Sequence, residues 1–138
     1  MSGEIEISGR CLCGAVSFKA QPDARHIGAC HCKMCRQWGS GPFLEVNCGT
    51  NISFEGEGHI KCYSSSDWAE RGFCGTCGTN LFYRVKENGL TLIAAGLVDD
   101  LEGFAMQLQV FTDERPPYYS FAEKTEEMTG QEVFEKWG

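Results

Sequence analysis

Cys74-Gly75-Thr76-Cys77-Gly78, followed at once by Thr79-Asn80-Leu81-Phe82-Tyr83-Arg84-Val85-Lys86, is the stretch on which the fold class turns. Two cysteines three apart can grip one tetrahedral ion from a tight turn, and Gly78 supplies a residue free to take positive φ just behind them. The same spacing serves redox dithiols, but those normally open a helix beside a βαβ unit. Here the pair runs into a strand pattern over residues 80–86, which favours metal over redox chemistry. On either side, short strand-like runs recur: an alternating start at Ile5 and Ile7, residues 15–20 with Val16 and Phe18 on one face, then 43–48, 59–63, 90–97 and 106–112. Clusters of Gly, Asn, Asp and Ser separate them, so the chain is predicted to be mainly β.

Helix is scarce. Residues 33–38 offer one or two turns, and Thr129-Gly130-Gln131-Glu132 has capping-box spacing leading into Val133, Phe134 and Trp137, a short C-terminal helix. Pro116-Pro117 breaks regular structure before it. With 138 residues and no repeat, low-complexity segment or linker, a single zinc-binding domain spanning residues 1–138 is expected. A chain of this size buries roughly two-thirds of its unfolded surface, so a core forms without staples.

The net charge of −7 argues against unspecific binding to nucleic acid or an anionic membrane. No apolar run approaches the ~18 residues of a membrane span; the longest, residues 90–97, reads as a buried strand. Met1-Ser2-Gly3-Glu4 has neither the basic region nor the apolar stretch of a signal peptide. A reducing, cytoplasmic location is therefore expected, where clustered cysteines mean metal or catalysis more often than disulfides.

The chain has nine cysteines, an odd number that no closed disulfide framework uses up. Two stand alone. Period-2 alternation puts Cys48 on the face of Leu44 and Val46, and Cys62 on the face of Ile60, so both are expected to be inert core residues. The other seven fall in three groups: Cys11-Leu12-Cys13, Cys30-His31-Cys32-Lys33-Met34-Cys35, and Cys74 with Cys77.

Seven ligands divide into four and three. Cys11 and Cys13 also carry a trailing glycine, Gly14, and can complete a four-thiolate site with Cys74 and Cys77, tying the first hairpin to the middle of the chain. Four thiolates suit zinc or iron. Cys30, Cys32 and Cys35 lie within six residues, and in an extended segment Cys30 and Cys32 converge while His31 points away. Three protein ligands leave a tetrahedral position open, the mark of a catalytic zinc. Three thiolates on Zn²⁺ leave a formal charge of −1, so bound water is acidified weakly; such a site is better suited to a further thiol, and hence to bond making or breaking at sulfur. His31 is a candidate fourth ligand whose side-chain direction is against it, which favours packing or orienting the ligands; no general base is identifiable, and His31 is the weakest acceptable candidate. Lys33 and Arg36 read either as a solvated face or as cations that neutralise the thiolates and meet a substrate carboxylate. His26 and His59 receive no role.

Cys11-x-Cys13-Gly14-Ala15-Val16-x-Phe18, Cys30-His31-Cys32-x-x-Cys35-Arg36 and Phe73-Cys74-x-x-Cys77-Gly78-x-x-Leu81 together resemble the glutathione-dependent formaldehyde-activating enzyme (GFA) family, in the superfamily that includes centromere protein V. The resemblance covers nearly the whole chain. It implies a mainly β fold called a β-tent, a structural zinc on Cys11, Cys13, Cys74 and Cys77, and a catalytic zinc on Cys30, Cys32 and Cys35, two Zn²⁺ per chain. It also implies condensation of formaldehyde with glutathione to S-hydroxymethylglutathione, a carbon–sulfur lyase activity. Gln109-Val110-Phe111 stands where members often carry a His-Ile-Phe type strand, and Tyr118-Tyr119 follows Pro116-Pro117 where tryptophan is usual. The expected function is thus a zinc-dependent carbon–sulfur lyase acting on an adduct of a small thiol such as glutathione. The alternative is a non-catalytic, zinc-stabilised module that binds another protein.

Overall fold

The computed structural model describes residues 5–137; the stretch Met1-Ser2-Gly3-Glu4, read above for a signal peptide, lies outside them. In chain order the described residues form β1 (Ile7–Arg10), β2 (Ser17–Ala20), β3 (His26–Cys30), α1 (Lys33–Gly39), β4 (Phe43–Asn47), β5 (Ile52–Glu55) and β6 (Ile60–Ser64). There follow β7 (Ala69–Cys74), β8 (Asn80–Val85), β9 (Thr91–Ala94), β10 (Ala105–Val110), β11 (Glu126–Met128) and α2 (Gly130–Trp137). The fold is mainly β with a short C-terminal helix, as predicted.

The described residues divide into two compact units, one built from those up to Arg25 with Glu45–Gly103, the other from His26–Leu44 with the residues from Phe104 onward. In the first unit, β1, β2 and β5 form an antiparallel sheet in the order β1-β2-β5. Its inner face carries Ile7, Phe18 and Ala20, while Ser8, Arg10 and Lys19 alternate outward. The remaining strands run antiparallel in the order β4-β9-β8-β7-β6. Val16, Val46, Leu81, Phe82 and Ile93 are fully buried, and the rings of Phe18, Phe54 and Phe82 pack in series at 6.4 and 5.3 Å. Gly72 in β7 makes room for Phe82: a Cβ there would stand 2.2 Å from the ring's Cζ.

In the second unit, β10 pairs in parallel with both β3 and β11. Parallel strands cannot be joined by a tight hairpin, and β3 reaches β10 only after the whole of residues 45–103. The capping box at α2 is reciprocal: the Thr129 amide donates to Glu132 Oε1 at 2.8 Å and the Glu132 amide to Thr129 Oγ1 at 3.2 Å.

Several expectations need correction. The strand expected over 90–97 stops at Ala94 and turns into a 3₁₀ turn over Ala95–Leu97. The run 106–112 ends at Val110, because Phe111 adopts a left-handed conformation (φ 57°) that breaks the ladder. β3, β5, β7 and β11 were not among the expected strands. Cys48 is buried, at 2% exposure, but Cys62 is exposed. β6 has a strand partner on one side, β7, and its burial pattern shows no covered face, so alternation there does not imply a core position.

Candidate metal centres

The four-sulfur cluster is assembled from two similar knuckles in the first unit. After Cys11 the Gly14 amide donates to the Cys11 carbonyl at 3.1 Å; after Cys74 the Gly78 amide donates to the Cys74 carbonyl at 2.8 Å. Both turns close on a glycine in the left-handed region, φ +81° at Gly14 and +82° at Gly78, where any Cβ would be strained. Thr79, which sequence reasoning missed, joins the knuckles. Its Oγ1 accepts the Leu12 amide at 3.1 Å and lies 3.1 Å from Cys77 Sγ, placed to donate its proton to a thiolate. A small hydroxyl residue just past Cys-x-x-Cys-Gly was the available sequence signal.

The sulfurs of Cys11, Cys13, Cys74 and Cys77 all lie within 4.8 Å of one another. Sulfurs ~2.3 Å from a central zinc stand about 3.8 Å apart in a regular tetrahedron; the Cys11–Cys13 and Cys13–Cys74 separations are 3.7 and 3.8 Å. The spacing therefore fits a thiolate-bound ion. So do the charges. Hydrogen bonds from the Thr79 hydroxyl and amide hold the Cys77 thiol down, to about 5. Burial opposes ionisation of Cys11, but the Val16 amide at 3.4 Å and the Cys13 and Cys74 thiols outweigh it and its pKa is lowered. At Cys13 the Ala15 amide favours the thiolate, yet burial and the three neighbouring sulfurs push it up to about 11. Sulfurs this crowded share charge unequally, a strain that a divalent cation relieves.

The three-sulfur cluster belongs to the second unit. Cys30 ends β3. Cys32 is the N-cap of α1 in an extended conformation, and its Sγ accepts the Cys35 amide at 3.3 Å. Cys35 lies on the first turn and is buried. The opening of α1 is held from elsewhere in the unit, since Glu114 Oε1 accepts the Lys33 amide at 2.8 Å. The three Sγ atoms lie within 4.8 Å of one another, and among the described residues no fourth His, Cys, Asp or Glu joins them. Hydrogen bonding to Cys32 and Cys35, then burial, pushes the Cys30 thiol strongly up. Three sulfurs so close cannot all be anionic without a counter-cation, so this donor set also fits a metal ion.

His31 points away from the sulfurs and is wholly buried. Gln109 Oε1 accepts from Arg115 Nη1 at 2.9 Å and stands 2.8 Å from His31 Nε2, so Nε2 carries the ring proton. Nδ1 is then the acceptor for the Tyr119 hydroxyl at 2.7 Å. Burial, opposed by the Gln109 hydrogen bond, lowers the His31 pKa and keeps the imidazole neutral. With both nitrogens engaged, His31 braces the backbone between Cys30 and Cys32 rather than meeting a substrate. Its amide extends this brace, donating to the Val110 carbonyl at 3.1 Å. Gln109 and Tyr119, noted in the sequence as departures from a family pattern, are its partners.

All nine cysteines are free thiols. Among the described residues no helix is long and apolar enough to cross a membrane. A protein of Schizosaccharomyces pombe described as an uncharacterized lyase is 38% identical over 130 residues, covering 93% of this chain and 94% of that protein. A Rhodobacter sphaeroides protein of known crystal structure shares the fold at a TM-score of 0.58 and 20% identity, over 67% of this chain and 87% of that one. The model of the glutathione-dependent formaldehyde-activating enzyme family matches residues 6–114, a span that holds all seven clustered cysteines, and the chain belongs to that family.

Proposed function

We propose that this protein is a zinc-dependent carbon–sulfur lyase that makes and breaks the adduct of a small thiol, glutathione or a close relative, with formaldehyde. Family membership and the lyase description of the yeast relative support a lyase-type activity. The observation that carries the finer reading is the contrast between the clusters, four sulfurs at one and three without a fourth donor at the other. Cys11, Cys13, Cys74 and Cys77 would hold a structural ion, and Cys30, Cys32 and Cys35 a second one, giving two Zn²⁺ per chain. Zinc held by three thiolates supplies positive charge that lowers the pKa of an incoming thiol while activating water poorly. In the synthetic direction the thiol gives up its proton and its sulfur pair forms the bond to the aldehyde carbon. The carbonyl oxygen takes up a proton to become the hydroxyl, and the lyase direction reverses each transfer. The chain's own part is to hold the three sulfurs in place, through the Cys32 cap on α1 and the His31 brace. A reducing cytoplasmic setting suits both the free cysteines and a thiol substrate.

The uncatalysed addition is quick, so the test follows exchange at equilibrium rather than yield. Magnetisation-exchange NMR on a glutathione–formaldehyde mixture should show faster exchange with the zinc-loaded protein than with its Cys35→Ser variant at equal concentration. Equal rates would refute the formaldehyde–glutathione assignment.

A further inference from the structure

β6 ends its sheet: among the described residues β7 is its sole strand neighbour. The register with β7 runs unbroken from Ile60 opposite Cys74 to Ser64 opposite Glu70. The Gly75 amide donates to the His59 carbonyl at 2.7 Å, so the ladder to β7 uses the odd-numbered residues of this stretch, and the main-chain groups of the even-numbered ones turn outward. The Ile60 amide is taken by the Glu57 carbonyl of the preceding 3₁₀ turn. That leaves the Ile60 carbonyl and both main-chain groups of Cys62 and Ser64 along the open edge. Residues 61–64 are all exposed, Tyr63 to 67%. Folded proteins usually blunt such an edge with proline, a bulge or charges. This one has no proline, no break in register and a single charged residue, Lys61.

We propose that this edge pairs with the same edge of a second copy of the chain, β6 against β6, antiparallel about a two-fold axis at Cys62. In that register the facing Cys62 residues exchange both main-chain hydrogen bonds, and each Ser64 amide meets the Ile60 carbonyl of the other copy. The engaged Ile60 amide falls at the ends of the ladder, where its loss matters least. The side chains are complementary. Lys61 stands across from Tyr63 of the second copy in a non-hydrogen-bonded pair, where side chains come closest. Within the chain the same row already alternates ring and cation: Tyr83, Arg71 and Tyr63 are successive cross-strand neighbours, and the Arg71 guanidinium lies 5.3 Å from the Tyr83 ring centre. Lys61 of the second copy, which has no ion pair among the described residues, extends that row by one more cation. A parallel, in-register pairing would instead set Lys61 against Lys61. An edge that pairs with itself is used up after two copies, so assembly closes at the dimer. The strand is only five residues long and buries less than a standard interface, so association is weak and falls in the micromolar range.

The test uses the zinc-loaded full chain. Sedimentation velocity should show monomer passing to dimer as concentration rises through the micromolar range. Cys62→Pro removes an outward N–H that the ladder to β7 does not use, so it should hold the protein monomeric with its melting temperature and metal content near wild type. Tyr63→Lys leaves every main-chain group in place and sets lysine against lysine across the pair. Symmetry repeats that change, so it should weaken the dimer by about tenfold. A third readout needs no variant. Cys62 is the exposed cysteine outside the two clusters, Cys48 being buried, and a short bismaleimide should join it to Cys62 of the second copy, identified by peptide mass. A chain that stays monomeric at every concentration, a dimer that survives both variants, or one whose Cys62 thiols the cross-linker cannot join would overturn the pairing.

Discussion

Glu45 sits in β4 opposite Ala94 of β9, buried to 9% exposure, and among the described residues no cation forms an ion pair with it. Burial raises its pKa from 4.5 to about 7. The folded protein therefore binds its proton more tightly than the unfolded chain does, and between about pH 4.5 and 7 the folded state carries more protons. Stability from this group is intact below pH 4.5, falls as pH rises through the window, and levels off above pH 7. A shift of two to three pKa units corresponds to about 3 kcal/mol at ~1.4 kcal/mol per unit. Glu45→Gln keeps the shape and removes the titration. The stability of the variant minus that of wild type should rise by about 3 kcal/mol from pH 4.5 to pH 8, on top of any constant offset from burying the amide. Urea unfolding at fixed metal concentration measures this at each pH. Groups common to both proteins cancel in the difference where they do not interact with position 45; Cys48, which feels the Glu45 charge, is pushed up to about 12, first by burial, and stays protonated across the window. A difference that stays flat across the window, or falls, would refute the claim that an uncompensated buried carboxylate lies in β4.

Cys77→Ser should lower the melting temperature far more than Cys35→Ser, because a four-thiolate ion that joins two distant knuckles contributes folding free energy on the order of 10 kcal/mol; equal melts would undo the assignment of roles. Metal analysis of the reconstituted wild type should give two ions per chain, with the three-cysteine site losing its ion to chelator first. Gly72→Ala should destabilise by about 1–3 kcal/mol in thermal melts, since the new Cβ falls 2.2 Å from the buried Phe82 ring; in open space the same change in a strand would be stabilising.

Much of the architecture was legible locally. The runs containing Phe18, Val46, Phe82 and Ile93 alternate or bury a short apolar stretch, and all four residues are in the core. The capping box at Thr129 and Glu132 was readable because both its hydrogen bonds lie within four residues. β5 carried a signal that was overlooked, Ile52 and Phe54 alternating with Ser53 and Glu55. β7 did not. Its Ala-Glu-Arg-Gly-Phe-Cys sequence places a buried arginine and a glycine inside a strand, and both make sense only beside their neighbours, Tyr83 under the Arg71 guanidinium and Phe82 filling the space at Gly72. β3 and β11 form because β10 lies between them in parallel, a pairing that no local pattern announces.

The sequence alone groups Cys11 with Cys13, Cys30 with Cys32 and Cys35, and Cys74 with Cys77, because spacing within six residues is a local property, although only folding brings the first pair to the last across 61 residues. It also determined that the fold is mainly β, since period-2 alternation and turn residues are local signals. Tertiary structure alone decided what surrounds those sulfurs. Thr79 meets both Leu12 and Cys77, His31 is held between Gln109 and Tyr119, and the Nε of Arg36 is closed off without a partner. Hydrogen bonding, which lowers the pKa of the Cys77 thiol, and burial, which lowers that of the His31 imidazole, depend on which distant segments arrive beside them. A one-dimensional pattern carries no record of that arrival. The exposed Cys62 makes the same point in reverse: it alternates with Ile60, but among the described residues neither face of β6 is buried.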